Sequence, residues 1–187
     1  MIRMDQEYKG ELKDGVYHGK GKLISTNGDI YEGEWVDGKR HGNGTYTSYS
    51  FGSVYDGEWV NGNRHGNGTI IFSGEAGGKS YIGKWENGKR NGQGTFIYED
   101  GRELAGEFKN DQWNGYGIIK YPDGSKYEGE GRGKRKKWEG IYYHGLGTFT
   151  TADGEIYKGE WEEDALIGQG TLAYTNGNKY VGTFNLR

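Results

Sequence analysis

The sequence predicts an all-β fold: an elongated, single-layer, twisted antiparallel sheet of about seven and a half stacked hairpins, with no helical domain. Three observations predict it. A unit close to Tyr-x-Gly-Glu-Trp-x-x-Gly-x-x-His-Gly-x-Gly-Thr-Φ restarts at Tyr8, Tyr31, Tyr55, Tyr81, Leu104, Tyr127, Tyr157 and Tyr180, at intervals of 23, 24, 26, 23, 23, 30 and 23 residues. Inside each unit the side chains alternate with period two, the spacing of a strand. Glycine accounts for 38 of 187 residues, about a fifth against a usual ~7%, and recurs too often for a helix of even about 12 residues. A period of this length means one small unit stacked on copies of itself, and such an object works as a long surface rather than as a pocket. Residues 1–7 form a leader and residues 8–187 the array.

Taken in order, the first unit carries Leu12 where later ones carry tryptophan, as an end cap would. The second shows the design. In Tyr31-Glu-Gly33-Glu-Trp35, the residues Tyr31, Gly33 and Trp35 share one face, and Glu32 and Glu34 point the other way. Asp37-Gly38-Lys39 supplies a turn. Gly42-Asn-Gly44-Thr-Tyr46 returns as a second strand, and setting Trp35 opposite Gly42 puts Gly33 opposite Gly44 and Tyr31 opposite Tyr46. Asn27-Gly28, Asp100-Gly101, Asp123-Gly124, Asp153-Gly154 and Asn176-Gly177 then turn the chain into following units. Glycine in a strand lets a neighbouring ring lie flat on the backbone, so Gly33→Val and Gly94→Val are expected to destabilise by overpacking.

The sixth unit is longer. Trp138 stands seven residues before Gly145, as Trp35 stands seven before Gly42, which makes Gly131–Lys137 a seven-residue insertion in the first strand. An odd insertion would flip Trp138 to the wrong face, so the segment is expected to loop out. It carries Arg132, Lys134, Arg135, Lys136 and Lys137. One reading is a docking point for anionic lipid headgroups or an acidic partner; the other is a solvated loop kept open by like charge. The last unit stops after Tyr180-Val-Gly-Thr-Phe184.

Tyr31-Glu-Gly-Glu-Trp-Val-Asp-Gly-Lys-Arg-His-Gly-Asn-Gly-Thr-Tyr46 resembles the MORN (membrane occupation and recognition nexus) repeat almost position for position, and the likeness spans about 180 residues. The resemblance implies a single-layered antiparallel sheet of hairpins. It also implies a scaffolding role at cytoskeleton, cilia or membranes, with a partner helix docked in an aromatic groove in some members. Where such arrays are fused to lipid kinases or lysine methyltransferases, a chain like this one is a targeting fragment.

Composition narrows the function classes. Net charge is −3 with a pI near 5.9, which argues against a nucleic-acid footprint. There is no cysteine, hence no disulfide or thiolate site, consistent with a reducing compartment. The start MIRMDQEYKG has no apolar leader, and no apolar run of about 18 residues occurs. The chain reads as cytoplasmic and cytoskeleton- or cilium-associated, with peripheral membrane attachment as the alternative.

Catalysis finds little support. His18, His41, His65 and His144 hold the same place before Gly-x-Gly. Equivalent positions lie two strand spacings apart, roughly 9.5 Å, too far for a shared ion at about 2 Å. The same spacing opposes Glu34 with Glu58, or Glu107 with Glu130, as a retaining pair at about 5 Å; a repeated glutamate ladder reads as a solubility device. Gly33-x₄-Gly38-Lys39 and Gly83-x₄-Gly88-Lys89 imitate a phosphate loop, but Arg40 and Arg90 replace the Ser/Thr and no helix follows. Asn43-Gly-Thr45 and Asn67-Gly-Thr69 are sequons produced by the repeat. No cofactor or metal is expected.

What remains is a surface. One face gathers Tyr31, Trp35, Tyr46, Tyr55, Trp59, Phe72, Tyr81, Trp85, Phe96, Tyr98, Phe108 and Tyr121. Part of it buries itself by ring-over-glycine packing, and the remainder is expected to form an aromatic groove for a helix or extended segment of a protein partner. Unpaired strand edges near Tyr8 and Tyr180 also invite a homodimer. The expected function is a non-enzymatic scaffold, with an anionic-lipid adaptor using residues 131–137 as the alternative.

Overall fold

The computed structural model describes residues 6–73, 78–133 and 141–185. Among them the chain forms fifteen strands and no helix. They are β1 (Glu7–Lys13), β2 (Val16–Ile24), β3 (Ile30–Val36), β4 (Lys39–Thr47), β5 (Val54–Val60), β6 (Asn63–Ile71), β7 (Gly78–Glu86) and β8 (Lys89–Tyr98). There follow β9 (Glu103–Lys109), β10 (Gln112–Lys120), β11 (Lys126–Gly133), β12 (Ile141–Thr150), β13 (Ile156–Glu162), β14 (Ala165–Ala173) and β15 (Lys179–Asn185). They lie side by side in chain order in one open sheet. Two compact units divide it, Met1–Gly92 and Gln93–Arg187.

Hairpin chemistry produces the pairing. At the β3–β4 turn Asp37 and Gly38 both have positive φ, 47° and 74°, the two-residue turn whose hand matches strand twist. From that turn the register runs Val36↔Lys39, Trp35↔Arg40 and Glu34↔His41, then jumps across a bulge to Gly33↔Gly44 and Tyr31↔Tyr46. The two glycine and tyrosine pairs stand where the sequence puts them, but Trp35 faces Arg40 rather than Gly42. Gly42 instead pairs with Trp59 of the next unit. The bulge is the cause: Gly42 takes φ 55°, which removes Gly42 and Asn43 from the hairpin register and hands them to the neighbour.

The tyrosines and tryptophans form the core of the first unit. Tyr31, Trp35, Tyr55, Trp59, Tyr81 and Trp85 are all 5% exposed or less. Tyr31 and Tyr55 each lie over their own glycine pair: a Cβ on Gly33 would stand 2.5 Å from the Gly44 Cα and 2.7 Å from the Tyr31 hydroxyl oxygen. The hydroxyls of Tyr31, Tyr55 and Tyr81 donate to the carbonyls of Glu34, Glu58 and Lys84 at 3.0 Å. Tryptophans close the seams between units, because the Nε1 groups of Trp35, Trp59 and Trp85 donate to the carbonyls of Gly21, Gly44 and Gly68 at 2.9–3.1 Å. Edge-on ring contacts follow, with Trp59 at 5.3 Å from Tyr31 and 5.1 Å from Tyr55. Such pairs add about 0.5–1.5 kcal/mol each beyond burial.

The second unit varies the theme. Phe108 faces Trp113, and the Trp113 ring covers Gly106, Gly117 and Gly131. The expectation for the sixth repeat needs correction. Gly131, Arg132 and Gly133 continue β11 and pair with Tyr143, Tyr142 and Ile141, so the strand does not loop out at 131. Gly131, facing Tyr143, holds the place that Trp35 holds facing Arg40. A tryptophan is not needed there because the Trp113 ring already fills the space above Gly131. Tyr143 stacks on Tyr127 with ring centroids 3.7 Å apart. Trp138 and the remaining basic residues, Lys134, Arg135, Lys136 and Lys137, lie outside the described residues; Arg132 is an exposed residue of β11.

Candidate functional site

Strand alternation divides the first unit chemically. The ring face bears the buried tyrosines and tryptophans together with Arg40 and Arg64, each opposite a tryptophan in its hairpin. The Arg40 guanidinium carbon stands 4.3 Å from the Trp59 ring centroid and 5.2 Å from that of Tyr46, and its Nη2 donates to the Gly62 carbonyl at 3.0 Å. Arg64 lies 5.0 Å from Tyr55 and 5.3 Å from Trp85, and Arg90 lies 5.5 Å from Tyr81. All three arginines are half-buried. Cations over ring faces are worth about 0.5–2 kcal/mol each, more as water is excluded. Burial pushes the Tyr31 hydroxyl up to about 12, against the pull of Arg40, so it stays a neutral donor.

The twelve aromatic residues expected to line a groove divide into two groups. Tyr31, Trp35, Tyr55, Trp59, Tyr81, Trp85, Phe96 and Phe108 are buried. Tyr46, Phe72, Tyr98 and Tyr121 are half-buried and show part of their rings. Tyr46 and Tyr98 sit beside the ends of their strands, where Asp29 and Arg102 meet them: the Tyr46 hydroxyl donates to the Asp29 carboxylate, and Arg102 lies 4.8 Å from the Tyr98 ring centroid. Burial alone would raise the Asp29 carboxyl, but hydrogen bonds from Tyr46, the Tyr49 amide, Asn27 and Ser48 outweigh it and hold the group below its ordinary range. In the second unit the Tyr121 hydroxyl meets that of Tyr143.

The opposite face carries Glu32, Glu34, His41, Asn43, Asp56, Glu58, His65 and Asn67. Its glutamates do more than keep the sheet soluble. Glu34 and Glu58 each reach into the bulge of their own hairpin, where Glu34 Oε1 accepts from the Asn43 amide at 2.9 Å and Glu58 Oε1 from the Asn67 amide at 2.6 Å. Glu11 does the same for the Lys20 amide at 3.0 Å. The signal was present in the sequence as a glutamate nine residues before each of these amides, but only the bulge gives it meaning. The hydrogen bond from the Asn67 amide, the largest influence, outweighs the opposing effect of burial and, with the Asn67 side chain and nearby Lys84 and His65, holds the Glu58 carboxyl below its ordinary 4.5. A lowered folded-state value contributes stability above the unfolded value, which is lost as pH falls through the folded one. Glu58→Gln should therefore flatten the loss of stability between about pH 5 and 3, read from urea midpoints at each pH. A wild-type slope kept in the variant would refute the cap.

His18, His41, His65 and His144 stay in separate repeats, and among the described residues no group of three or more His, Cys, Asp or Glu side chains is arranged to hold a metal ion. Glu34 and Glu58 are each tied to the backbone of their own hairpin rather than to each other.

A family model described as the MORN repeat matches residues 8–30, 31–52, 55–74, 81–101, 105–126, 137–156 and 157–179. No curated protein matches the chain by sequence. Among solved structures, the chain is similar to the SAS-4 (dCPAP) TCP domain of Drosophila melanogaster in complex with a proline-rich motif of Ana2 (dSTIL). The two are 15% identical over 88% of this chain and 84% of that one, with a TM-score of 0.52. The TCP10c domain of Drosophila melanogaster Sas-4 is similar at 15% identity, over 88% of this chain and 93% of that one, with a TM-score of 0.51. At that identity the likeness is one of fold.

Proposed function

Since this chain belongs to the MORN repeat family, we propose that it is a non-enzymatic scaffold that holds a segment of a partner protein against its ring face, within a cytoskeletal or ciliary assembly. The observation that carries this reading is the one-sidedness of the sheet. Rings and their stacked arginines occupy one face of the first unit, and half-buried rings offer aromatic area on the ring face of each unit, Tyr46 and Phe72 in the first and Tyr98 and Tyr121 in the second. Tyrosine and arginine are among the residue types that dominate binding hot spots. A TCP domain of the same fold occurs in complex with a proline-rich motif, which supports a peptide as the kind of ligand such a sheet accepts.

Because Trp59 and Trp85 are core residues, the informative probes are the half-buried ones. A photo-crosslinking side chain placed at Tyr46 or Tyr98 should capture a partner segment, and one placed at Thr45 or Ile82 on the polar face should not. Crosslinks confined to Thr45 and Ile82 would overturn the proposal. The alternative, an anionic membrane surface met by the basic run 131–137, has support from the exposure of Arg132; salt-sensitive flotation with anionic vesicles separates the two.

A further inference from the structure

The face opposite the rings changes character in the second unit. Each of seven repeats carries a Gly-x-Gly after its turn, and the middle residue is Lys20, Asn43, Asn67, Gln93 or Gln169 in five of them. In the other two it is Tyr116 and Leu146. Alternation from Gly117 and Gly147, which rings cover, turns both away from the ring face. The place is exposed in every repeat, and Tyr116 and Leu146 keep 59% and 67% of their surface in solvent, so folding gains little from their apolar groups. A single exposed leucine means little. These two stand on β10 and β12, with only β11 between them, at roughly 9.6 Å.

Three glutamates share their row. Register sets Tyr116 beside Glu130 and Leu146 beside Glu160, and Glu107, between Gly106 and Phe108, completes the row on β9. From β9 to β13 it reads acid, ring, acid, leucine, acid. In the first unit Glu34 and Glu58 are seated over the bulge glycines Gly42 and Gly66 and each holds a backbone amide. Glu130 likewise lies over Gly145, but the space above Gly115 and Gly168 is open, so Glu107 and Glu160 have given up that task. Among the described residues neither forms a hydrogen bond or an ion pair. Lys109, Arg132 and Lys158 stand two residues away along the same strands and pair with none of the three. The Tyr116 ring is fixed, since its hydroxyl donates to Glu128 at 2.8 Å.

From this row we infer a second docking surface, whose occupant is a basic amphipathic helix of a partner protein. A helix stripe through i, i+3 or i+4 and i+7 advances about 5 Å per step, close to the ~4.8 Å between strands. Fourteen residues of helix rise about 21 Å, against roughly 19 Å from β9 to β13. Lysine or arginine at every seventh position then meets Glu107, Glu130 and Glu160 in turn, and apolar residues midway rest on Tyr116 and Leu146. Complementary charge of this kind sets partner choice and on-rate more than total affinity. A second copy of the row brings no cation to it. The surface lies on the side away from the rings and does not depend on the ring-face reading.

The test uses fluorescein-labelled helical peptides of about three heptads, with lysine at every seventh position, leucine midway, and alanine and glutamine elsewhere. The same peptide with glutamine for lysine stands beside it, and binding to the full chain is read by fluorescence anisotropy. The lysine peptide should bind at least about tenfold more tightly at low salt, and the preference should fade toward about 0.5 M NaCl. Tyr116→Asn with Leu146→Gln gives these repeats the residue types of the others, so the fold is kept, as circular dichroism checks. That variant should bind the lysine peptide at least about fivefold more weakly, and Glu107→Gln with Glu160→Gln should lose the preference for lysine over glutamine. Equal binding of the two peptides to the wild type would overturn the inference. So would lysine-peptide binding undiminished in the Tyr116 and Leu146 variant, which would put the site elsewhere. Either failure leaves the ring-face reading standing, because crosslinking at Tyr46 and Tyr98 tests that face by itself.

Discussion

Gly33→Val is expected to lower the thermal midpoint by about 6–12 °C, the equivalent of roughly 3 kcal/mol in a chain of this size. The added Cβ would stand 2.5 Å from the Gly44 Cα, 2.6 Å from the Asn43 carbonyl oxygen and 2.7 Å from the Tyr31 hydroxyl. Two of those three atoms are backbone and cannot swing aside. Making room means parting β3 from β4 or lifting Tyr31 off the sheet, which also breaks its hydrogen bond to the Glu34 carbonyl. Gly15→Asn is the matched control. Gly15 sits in a hairpin turn at φ 77° with open space around it, and asparagine visits that region at low cost, so a loss of no more than about 1 kcal/mol is expected. Melting followed by circular dichroism compares the two. Equal, small shifts would show that strand glycines are not the sites of close approach.

Trp59→Ala should remove about 3–5 kcal/mol, the range for deleting a buried aromatic. The ring touches two units at once: it is edge-on to Tyr31 and Tyr55, carries Arg40 on its face, and donates to the Gly44 carbonyl at 2.9 Å. The protein also contains its own remedy. The first unit has Leu12 in the tryptophan place, facing Tyr17, and Tyr17 stacks on Tyr8 at 3.8 Å. The sixth unit has Gly131 facing Tyr143, which stacks on Tyr127. Trp59→Leu combined with Arg64→Tyr should therefore recover part of the loss that Trp59→Leu causes alone. Chemical denaturation midpoints measure both. No recovery would mean that the stacked tyrosine pair is a passenger and not a substitute.

The hairpins, their turns and the ring-and-glycine faces were legible because each depends on local chemistry: period-two alternation, Asp-Gly and Asn-Gly turns, and a glycine pair under tyrosines such as Tyr31, Tyr55 and Tyr127. The bulge was not legible. A positive φ at Gly42 leaves no mark in the residue types, since a glycine is expected there for ring packing in any case. Missing it shifted the partner of Trp35 by two residues, from Arg40 to Gly42, and hid the task of Glu34 and Glu58. The sixth repeat misled for a related reason. Its tryptophan spacing was counted along the chain, whereas the space above Gly131 is filled from across the sheet by Trp113. The ring face was found by pattern, but the division of its residues into buried core and half-buried margin needed the packing. Arg40 and Arg64 join that face because the bulge places them opposite tryptophans.

The tryptophan seam also has a bearing on how such a chain can change over generations. Trp35, Trp59 and Trp85 each grip the glycine carbonyl of the preceding unit in the same way, so every junction in the first unit is interchangeable with its neighbours. A whole period copied or excised in frame would recreate a native junction at the splice, with no new surface to solve. Length can then drift while chemistry stays constant.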